Sequence, residues 1–219
     1  MLKKKDPSSE EHLREIERLV KTPQLIEFVD PKSEKVKKSS LKSLAKRVSS
    51  SRLFSLFLKR LIENQGYTRV LETGTSLGIN TACIATAPNV KVWTIEGSKE
   101  IARCAQSNFD QLDLKNIELI QGLVVDEFIP ALELAKPQLV FLDADHRSQT
   151  IEFYLESIHN SSAEVECIII HDIYWSKDMR AVWEQIVSDP AYQLTIDIFE
   201  AGIIFPNYPM TKQHFTLAL

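Results

Sequence analysis

The hydrophobic and polar positions change pattern near Tyr67. From there on, short apolar runs alternate with segments whose apolar residues recur every three or four positions. The short runs predict strands and the periodic segments predict helices. Because the runs are rich in Val, Ile and Leu and each is followed by a helix, they indicate a parallel sheet covered on both faces. The predicted strands are residues 69–73, 91–96, 117–121, 138–142 and 167–171.

The end of the chain departs from this alternation. Residues 193–205 alternate as a strand and residues 213–219 alternate again, with only the two-proline segment 206–212 between them. That connection is too short for a parallel crossover, so we predict that the last strand pairs antiparallel as a hairpin. The predicted fold class is therefore α/β, with a doubly wound, mostly parallel sheet of seven strands and an antiparallel C-terminal hairpin strand.

The N-terminal third follows another pattern. Apolar residues recur at helical spacing over residues 12–27 and 41–64, whereas residues 28–40 are polar and irregular. We therefore divide the chain into a helical extension, residues 1–65, which would pack on the core as a lid, and a core domain, residues 66–219.

Composition narrows the class of protein. With 219 residues, 44% of them hydrophobic and 26% charged, the chain has the size and composition of one soluble α/β domain. No apolar run is long enough to span a bilayer, and the first ten residues lack the apolar core of a signal peptide, so we expect a cytoplasmic protein. The isolated cysteines Cys83, Cys104 and Cys167 lie in apolar patterns and indicate buried side chains in a reducing compartment.

The net charge of −4 conceals an asymmetry. Residues 1–65 carry 16 Lys and Arg against 9 Asp and Glu, whereas residues 66–219 carry 10 against 21. A basic segment can attract an anionic substrate or RNA. We favour a solvated surface instead, because no aromatic residues are interleaved with the lysines to stack on bases. Nucleic acid is therefore an unexpected partner, and no membrane partner is expected.

Residues 69–78, RVLETGTSLG, are the most informative segment, because a predicted strand runs through a glycine turn into a predicted helix. Gly74 and Gly78 would let backbone N–H groups and the helix N-terminus approach a ligand closely. Glu72, just before the turn, would repel a phosphate but attract an ammonium or sulfonium group. The segment therefore favours a nucleotide that bears an amino acid over a dinucleotide.

Polar residues and glycines also follow the other predicted strands. Ligands of open α/β sheets bind beyond the carboxyl ends of the strands, so these residues are expected to converge. Glu96, 18 residues after Gly78, could accept both hydroxyls of a ribose. Ser76 stands where a dinucleotide fingerprint requires glycine, which disfavours an NAD-dependent oxidoreductase. The later strand-end residues are Gly97, Ser98, Gly122, Asp143, Ala144, Asp145, His146, His171, Asp172, Ile173, Tyr174 and Trp175.

Four segments in this order resemble the class I S-adenosylmethionine-dependent methyltransferases. They are VLETGTSLGINT at 70–81, VWTIEG at 92–97, VFLDADH at 140–146 and HDIYW at 171–175. The resemblance covers residues 41–219 and is greatest to the small O-methyltransferases related to catechol and caffeoyl-CoA O-methyltransferases. It implies a Rossmann-like fold with a reversed final strand. It also implies S-adenosylmethionine as the cofactor and the hydroxyl oxygen of a small molecule as the methyl acceptor.

The resemblance further implies a set of cofactor-binding residues. The glycine turn would pass the methionine part, Glu72 would lie near its amino group and Asn80 near its carboxylate. Glu96 would bind the ribose, and Gly122 would lie beside the adenine. The full implied set is Glu72, Gly74, Thr75, Ser76, Gly78, Asn80, Glu96, Gly97, Ser98, Gly122, Leu123 and Asp143.

The catalytic positions are where the chain departs from those relatives. Cation-dependent members hold a divalent metal with an Asp after the fourth strand and an Asp–Asn pair after the fifth. Asp143 and Asp172 match the two acids, but Ile173 replaces the Asn and cannot ligate. We therefore expect no metal, with water-coordinated Mg²⁺ as the less favoured alternative. His146 stands at a lysine position and is the predicted general base, with His171 in reserve and Asp143 and Asp172 as further catalytic residues.

Several alternatives stay open on sequence alone. An RNA or amine methyltransferase is disfavoured because no Asn/Asp-Pro-Pro-Tyr/Phe motif follows the fourth strand. A protein that binds S-adenosylmethionine without turnover is a further alternative, since the metal positions are altered. Tyr174 and Trp175 could form flat walls for an aromatic acceptor. A homodimer is compatible with the sequence, which leaves the oligomeric state open.

Overall fold

The structure is a computed structural model that describes residues 7–20, 23–30, 33, 35–48 and 50–218. Helices and strands follow one another along the chain, and from residue 69 to residue 188 they alternate strictly. Their bounds are α1 Pro7–Val20, β1 Leu25–Val29, β2 Val36–Ser40, α2 Leu41–Val48, α3 Arg52–Gln65, β3 Arg69–Thr73, α4 Ile79–Ala85, β4 Lys91–Glu96, α5 Lys99–Gln111, β5 Ile117–Gln121, α6 Val124–Ala135, β6 Leu139–Leu142, α7 Ser148–Asn160, β7 Cys167–His171, α8 Lys177–Ser188, β8 Leu194–Asp197, β9 Ala201–Phe205 and β10 Gln213–Thr216.

The main sheet has the strand order β10-β8-β9-β7-β6-β3-β4-β5. Strands β3 to β7 are parallel to one another, whereas β9 runs antiparallel to both β7 and β8. The predicted α/β class is thus confirmed, including the mostly parallel sheet and the antiparallel strand near the C-terminus. Eight strands of this sheet lie within the described residues, one more than predicted, because the segment 193–205 forms two strands.

The predicted position of the hairpin was wrong. The chain reverses at residues 198–200, where Phe199 has φ +64° and its N–H donates to Oδ1 of Asp197 at 2.8 Å. Strand β10 pairs parallel with β8 rather than antiparallel with β9. Because β8 lies between β9 and β10, the connection 206–212 passes only one strand at the same end of the sheet, which needs no crossover.

The N-terminal segment was predicted to be a helical extension, but it also contains a β-hairpin. Helix α1 ends at Val20, and β1 and β2 form an antiparallel hairpin that pairs Leu25 with Ser40 and Val29 with Val36. Along β1 only Phe28 is buried, which is the alternation of a half-buried strand rather than a helical stripe. Hence the predicted helix up to residue 27 and the irregular segment 28–40 are both corrected.

Both faces of the main sheet are covered. In β3, Val70 packs in an apolar cluster with α3 and α4, whereas Leu71 packs on the opposite face with α6 to α8. Neither side chain is exposed, as expected for a parallel strand that is covered on both faces. A third cluster joins α1, α2 and Phe28 to α4 and α5, so the N-terminal segment is packed on the core beside the carboxyl ends of the strands.

Candidate active site

A cleft of about 1110 Å³ lies beyond the carboxyl ends of β3, β4, β6 and β7. It brings together eight of the predicted site residues, namely Gly74, Ser76, Glu96, Gly97, Leu123, Asp143, His146 and Asp172. A second cleft of equal volume, between α7, α8 and residues 205–209, is lined by none of the predicted residues. The first cleft is therefore the candidate active site, as expected for an open α/β sheet.

The glycine turn forms one wall of the cleft through its backbone. Gly74 has φ +87°, and a Cβ atom there would lie 2.8 Å from the carbonyl oxygen of Asp143. The N–H groups of Gly74 and Thr75 both donate to the carbonyl oxygen of Ile95, at 2.9 and 3.1 Å. A side chain at Gly74 would thus push apart the ends of β3 and β6, and its absence leaves a narrow cradle between them.

Glu96 joins this turn to the next one. Its Oε2 accepts from the N–H of Ser76 at 2.8 Å, and its Oε1 accepts from the N–H of Ser98 at 2.8 Å. Burial raises the pKa of Glu96, and the backbone donors of Ser98, Ser76 and Gly97 offset part of that rise. A carboxylate is therefore held at the cleft wall, at the end of β4 where it was predicted.

Glu72 lies beneath the turn. Its carboxylate accepts hydrogen bonds from the hydroxyls of Thr81 and, at 2.7 Å, Thr94. Burial raises the pKa of Glu72 to about 8. Its side chain is 1% exposed and is not part of the cleft wall, so its contact with an amino group stays a prediction.

The other predicted cofactor residues lie behind or beside the wall. Thr75 and Asn80 line a small recess next to the cleft, together with Gly74 and Asp143. The amide of Asn80 accepts from Ser55 Oγ at 2.7 Å and donates to Ser50 Oγ at 2.9 Å, which ties α4 to the N-terminal segment. Three further predicted residues line neither the cleft nor the recess, namely Gly78, Ser98 and Gly122.

Acidic side chains surround one buried histidine at the far end of the cleft. Nδ1 of His171 lies 2.8 Å from Oδ1 of Asp143 and 3.6 Å from Oδ2 of Asp172. Its Nε2 lies 3.6 Å from Oε1 of Glu200 and 3.3 Å from Oγ of Ser50. We call Asp143, His171, Asp172 and Glu200 the histidine–carboxylate cluster.

The charge of His171 follows from these neighbours. Burial lowers its pKa, but the nearby carboxylates of Asp143, Glu200 and Asp172 together raise it to about 10. A protonated histidine cannot accept a proton, so this raised pKa disfavours His171 as the reserve base, a role that stays a prediction. His146 lies 3.6 Å (Nε2) from Oδ2 of Asp172, with its ring 5.8 Å from that of Trp175, and lines the cleft.

Sequence reasoning missed several residues of this cleft. Residues of the N-terminal segment contribute to its wall, and Ser51 donates to Glu200 from its N–H at 2.8 Å and its hydroxyl at 2.7 Å. Glu200 was placed inside a strand, although the adjacent apolar Ile198 and Phe199 break the alternation and could have marked the turn. The missed N-terminal residues are Phe28, Asp30, Lys37, Leu44 and Ser50.

The residues at the metal positions of the cation-dependent relatives do not fit a divalent ion. Nδ1 of His171 lies next to both Asp143 and Asp172, at 2.8 and 3.6 Å, and Ile173 is fully buried in the apolar core. Within the described part of the chain, no group of three or more His, Cys, Asp or Glu residues is arranged to hold a metal ion. None of the described helices is long and apolar enough to cross a membrane.

The fold is that of solved methyltransferase structures. The O-methyltransferase of Bacillus cereus, in complex with S-adenosylhomocysteine, is 22% identical with a TM-score of 0.59 and covers 93% of this chain and 92% of that one. TomG from Streptomyces achromogenes, an O-methyltransferase of tomaymycin synthesis solved with S-adenosylmethionine, is 16% identical with a TM-score of 0.60, covering 93% and 91%. The methyltransferase PaMTH1 of Podospora anserina, with bound S-adenosylhomocysteine, is 18% identical with a TM-score of 0.62, covering 74% and 81%.

The sequence itself identifies the family. The family described as protein-L-isoaspartate(D-aspartate) O-methyltransferase matches residues 10–124, which is more than half of the chain. The chain belongs to this methyltransferase family, and the predicted resemblance is confirmed. No curated protein gives a significant match.

Proposed function

We propose that this protein is an S-adenosylmethionine-dependent methyltransferase that methylates a hydroxyl oxygen of a small molecule. The observation that carries the proposal is the convergence of the glycine turn and the buried carboxylate of Glu96 on one cleft with His146. Membership of an O-methyltransferase family supports the reaction class. The cofactors named for the solved structures of this fold support the choice of methyl donor.

The residues at the β3 and β4 ends suit the cofactor. The cradle at Gly74 leaves room for a ligand where a side chain would collide with the Asp143 carbonyl. Glu96 would accept the ribose hydroxyls, with Leu123 beside the adenine. When bound, the cofactor supplies a methyl group on a sulfonium centre, ready for direct in-line transfer. The protein would contribute alignment, worth up to roughly 7–11 kcal/mol.

The opposite end of the cleft would hold the acceptor. His146 would take the proton of the acceptor hydroxyl, a step worth roughly 10²–10⁴-fold in rate. Asp172, 3.6 Å from His146, would orient the imidazole and stabilise its charge. The ring of Trp175 is 69% exposed beside His146, which favours an acceptor with a flat, aromatic portion.

Two finer statements belong to the same proposal. We place the protein in the cytoplasm, because its three cysteines are free and two of them, Cys83 and Cys167, are buried. We also keep the division into residues 1–65, which would cover the cleft as a lid, and residues 66–219. The cleft-lining residues Phe28, Lys37 and Leu44 support the covering role.

The donor assignment is tested by isothermal calorimetry with S-adenosylmethionine and S-adenosylhomocysteine. We expect micromolar binding to the natural chain and a loss of roughly 100-fold or more in Glu96→Ala, because two charge-assisted hydrogen bonds are removed. Glu118→Ala, a surface carboxylate paired with Lys91 on the neighbouring strand, is the matched control and should bind normally. Absence of binding to the natural chain at millimolar ligand would refute the donor, and normal binding by Glu96→Ala would remove Glu96 from the site.

The acceptor class needs a separate assay. Phenolic, catecholic and acyl-thioester compounds would be screened with methyl-labelled cofactor, and transfer to a hydroxyl oxygen is the expected result. If the chain binds the donor but methylates none of these classes while labelling RNA or an amine, the oxygen acceptor is wrong. Salt-sensitive binding would accompany an RNA acceptor.

A further inference from the structure

The histidine–carboxylate cluster places one imidazole among three carboxylates. Nδ1 of His171 faces Asp143 at 2.8 Å and Asp172 at 3.6 Å, and Nε2 faces Glu200 at 3.6 Å. The His171 side chain is 9% exposed, whereas those of Asp143, Asp172 and Glu200 are 13%, 32% and 27% exposed. One buried imidazole is therefore the common neighbour of three carboxylates at the cleft.

The ring of His171 is also restricted by packing. Its centroid lies 4.9 Å from that of Phe54 in α3 and 6.1 Å from that of Phe141 in β6. Phe54 and Phe141 are fully buried and restrict the imidazole on their side, while His171 also lines the cleft.

A divalent ion bound to both acids would lie close to the ring. Mg²⁺ takes six oxygen ligands in an octahedron at about 2.1 Å, usually one or two carboxylates and several waters. Nδ1 of His171 instead lies 2.8 Å from Asp143 and 3.6 Å from Asp172, beside the place that an ion bound to both acids would take, and the next residue, Ile173, is buried in the core and offers no oxygen.

We propose that His171 is an internal substitute for the divalent metal ion, which holds Asp143 and Asp172 in place and excludes the metal from this cleft. The proposal rests on the proposed function in taking the cleft as the active site of a methyltransferase, but its test does not depend on methyl transfer. His171 is then a positioning residue. An acceptor would not be chelated through two neighbouring oxygens, so a single hydroxyl group would suffice for binding.

The first test uses Mn²⁺ as the probe and the natural chain. Free Mn²⁺ is followed by electron paramagnetic resonance during a titration with protein up to millimolar concentrations. We expect no stoichiometric site. Binding of one Mn²⁺ per chain that is abolished by Asp143→Asn and Asp172→Asn would overturn the proposal. This measurement needs no His171 variant to fold.

The second test removes the imidazole. His171→Ala leaves three carboxylates facing a vacated volume, so we expect its Mn²⁺ affinity to rise by roughly tenfold or more over the natural chain. The gain should disappear in His171→Ala/Asp143→Asn. His159→Ala removes an exposed histidine in the last turn of α7 and should leave Mn²⁺ affinity unchanged.

Circular dichroism establishes that each variant is folded before the titration. A folded His171→Ala chain without any gain in Mn²⁺ affinity would overturn the proposal, and if that variant does not fold, the titration of the natural chain decides alone. Calorimetry with S-adenosylhomocysteine on the same samples reports the donor site separately, so failure of the proposed function is distinguishable.

Discussion

The two ends of the candidate active site are built in different ways. At the β3 and β4 end, the cleft wall is backbone, and its hydrogen bonds connect Gly74 and Ser76 to residues 95–96 of the adjacent strand. At the β6 and β7 end, side chains from separated segments form the cluster of Asp143, His171 and Glu200, to which Ser51 is attached.

This difference determines what each end tolerates. A backbone wall depends on the conformations of a few consecutive residues, so a local change of φ or of volume is enough to destroy it. A wall made of side chains from segments far apart in the chain depends on the packing of whole helices and strands. Loss of one contact there costs only the free energy of that contact. Substitutions at matched positions can separate the two behaviours.

The largest effect is expected at Gly74. Gly74 has φ +87°, and a Cβ atom added there would lie 2.8 Å from the Asp143 carbonyl oxygen. Gly66 has a similar φ of +72°, but a Cβ atom added there would meet no atom within 4 Å. We expect Gly66→Ala to lower the free energy of unfolding by about 1–2 kcal/mol and Gly74→Ala by about 2–5 kcal/mol. Urea denaturation measures both. Equal losses would show that the close approach of β3 and β6 is unimportant.

A pH-dependent effect of intermediate size is expected at Glu72. Its pKa is raised from 4.5 to about 8 by burial, so its contribution to stability is complete below pH 4.5 and is lost as the pH rises through 8. Glu72→Gln keeps an acceptor for Thr81 and Thr94 without titrating. We expect this variant to match the natural chain at pH 5 and to exceed its stability at pH 9 by on the order of 2–4 kcal/mol.

Thermal and urea unfolding at the two pH values check this expectation. A stability difference independent of pH would contradict the buried, proton-binding carboxyl. The same variant separates two roles of Glu72 beneath the turn. If its amide leaves the affinity for S-adenosylmethionine at pH 8 unchanged, the predicted contact with the amino group is refuted while the structural role stands.

The smallest effect is expected where the N-terminal segment meets the cluster. Ser51 caps α3 by accepting from the Phe54 N–H at 3.1 Å and also donates to Glu200, whereas Ser176 caps α8 by accepting from the Met179 N–H at 3.1 Å. Replacing either by Ala should cost about 1 kcal/mol for the cap, and Ser51→Ala about 0.5–1.5 kcal/mol more. Chemical denaturation gives the difference. Identical values would mean that the bond to Glu200 contributes nothing.

The backbone end of the cleft was largely predictable. The sequence placed β3, β4, β5 and β7 at their observed bounds and β6 within one residue, because short runs rich in Val, Ile and Leu alternate with helical patterns in this part of the chain. The glycine turn and Glu96 follow directly from those strand ends. Local chain geometry alone therefore brings them to the cleft wall.

The side-chain end was predictable only in part. The strand-end positions identified Asp143, His146 and Asp172. His171 was predicted only as a reserve base, and no structural role was assigned to its ring. The β1–β2 hairpin was missed, since the half-buried β1 contributes one buried side chain, Phe28, to the core. Glu200 was missed because the pattern of residues 193–205 was interpreted as a single strand.

The sequence by itself determined the order of strands and helices from β3 to α8, the glycine turn and the set of strand-end polar residues, since these depend on neighbours along the chain. Only the tertiary structure decided that β9 lies between β7 and β8, that the β1–β2 hairpin reaches the cleft, and that Nδ1 of His171 lies next to both Asp143 and Asp172. These outcomes depend on packing between segments far apart in the chain. Competing arrangements differ by only a few contacts, and the local pattern of hydrophobic and polar residues does not specify those contacts.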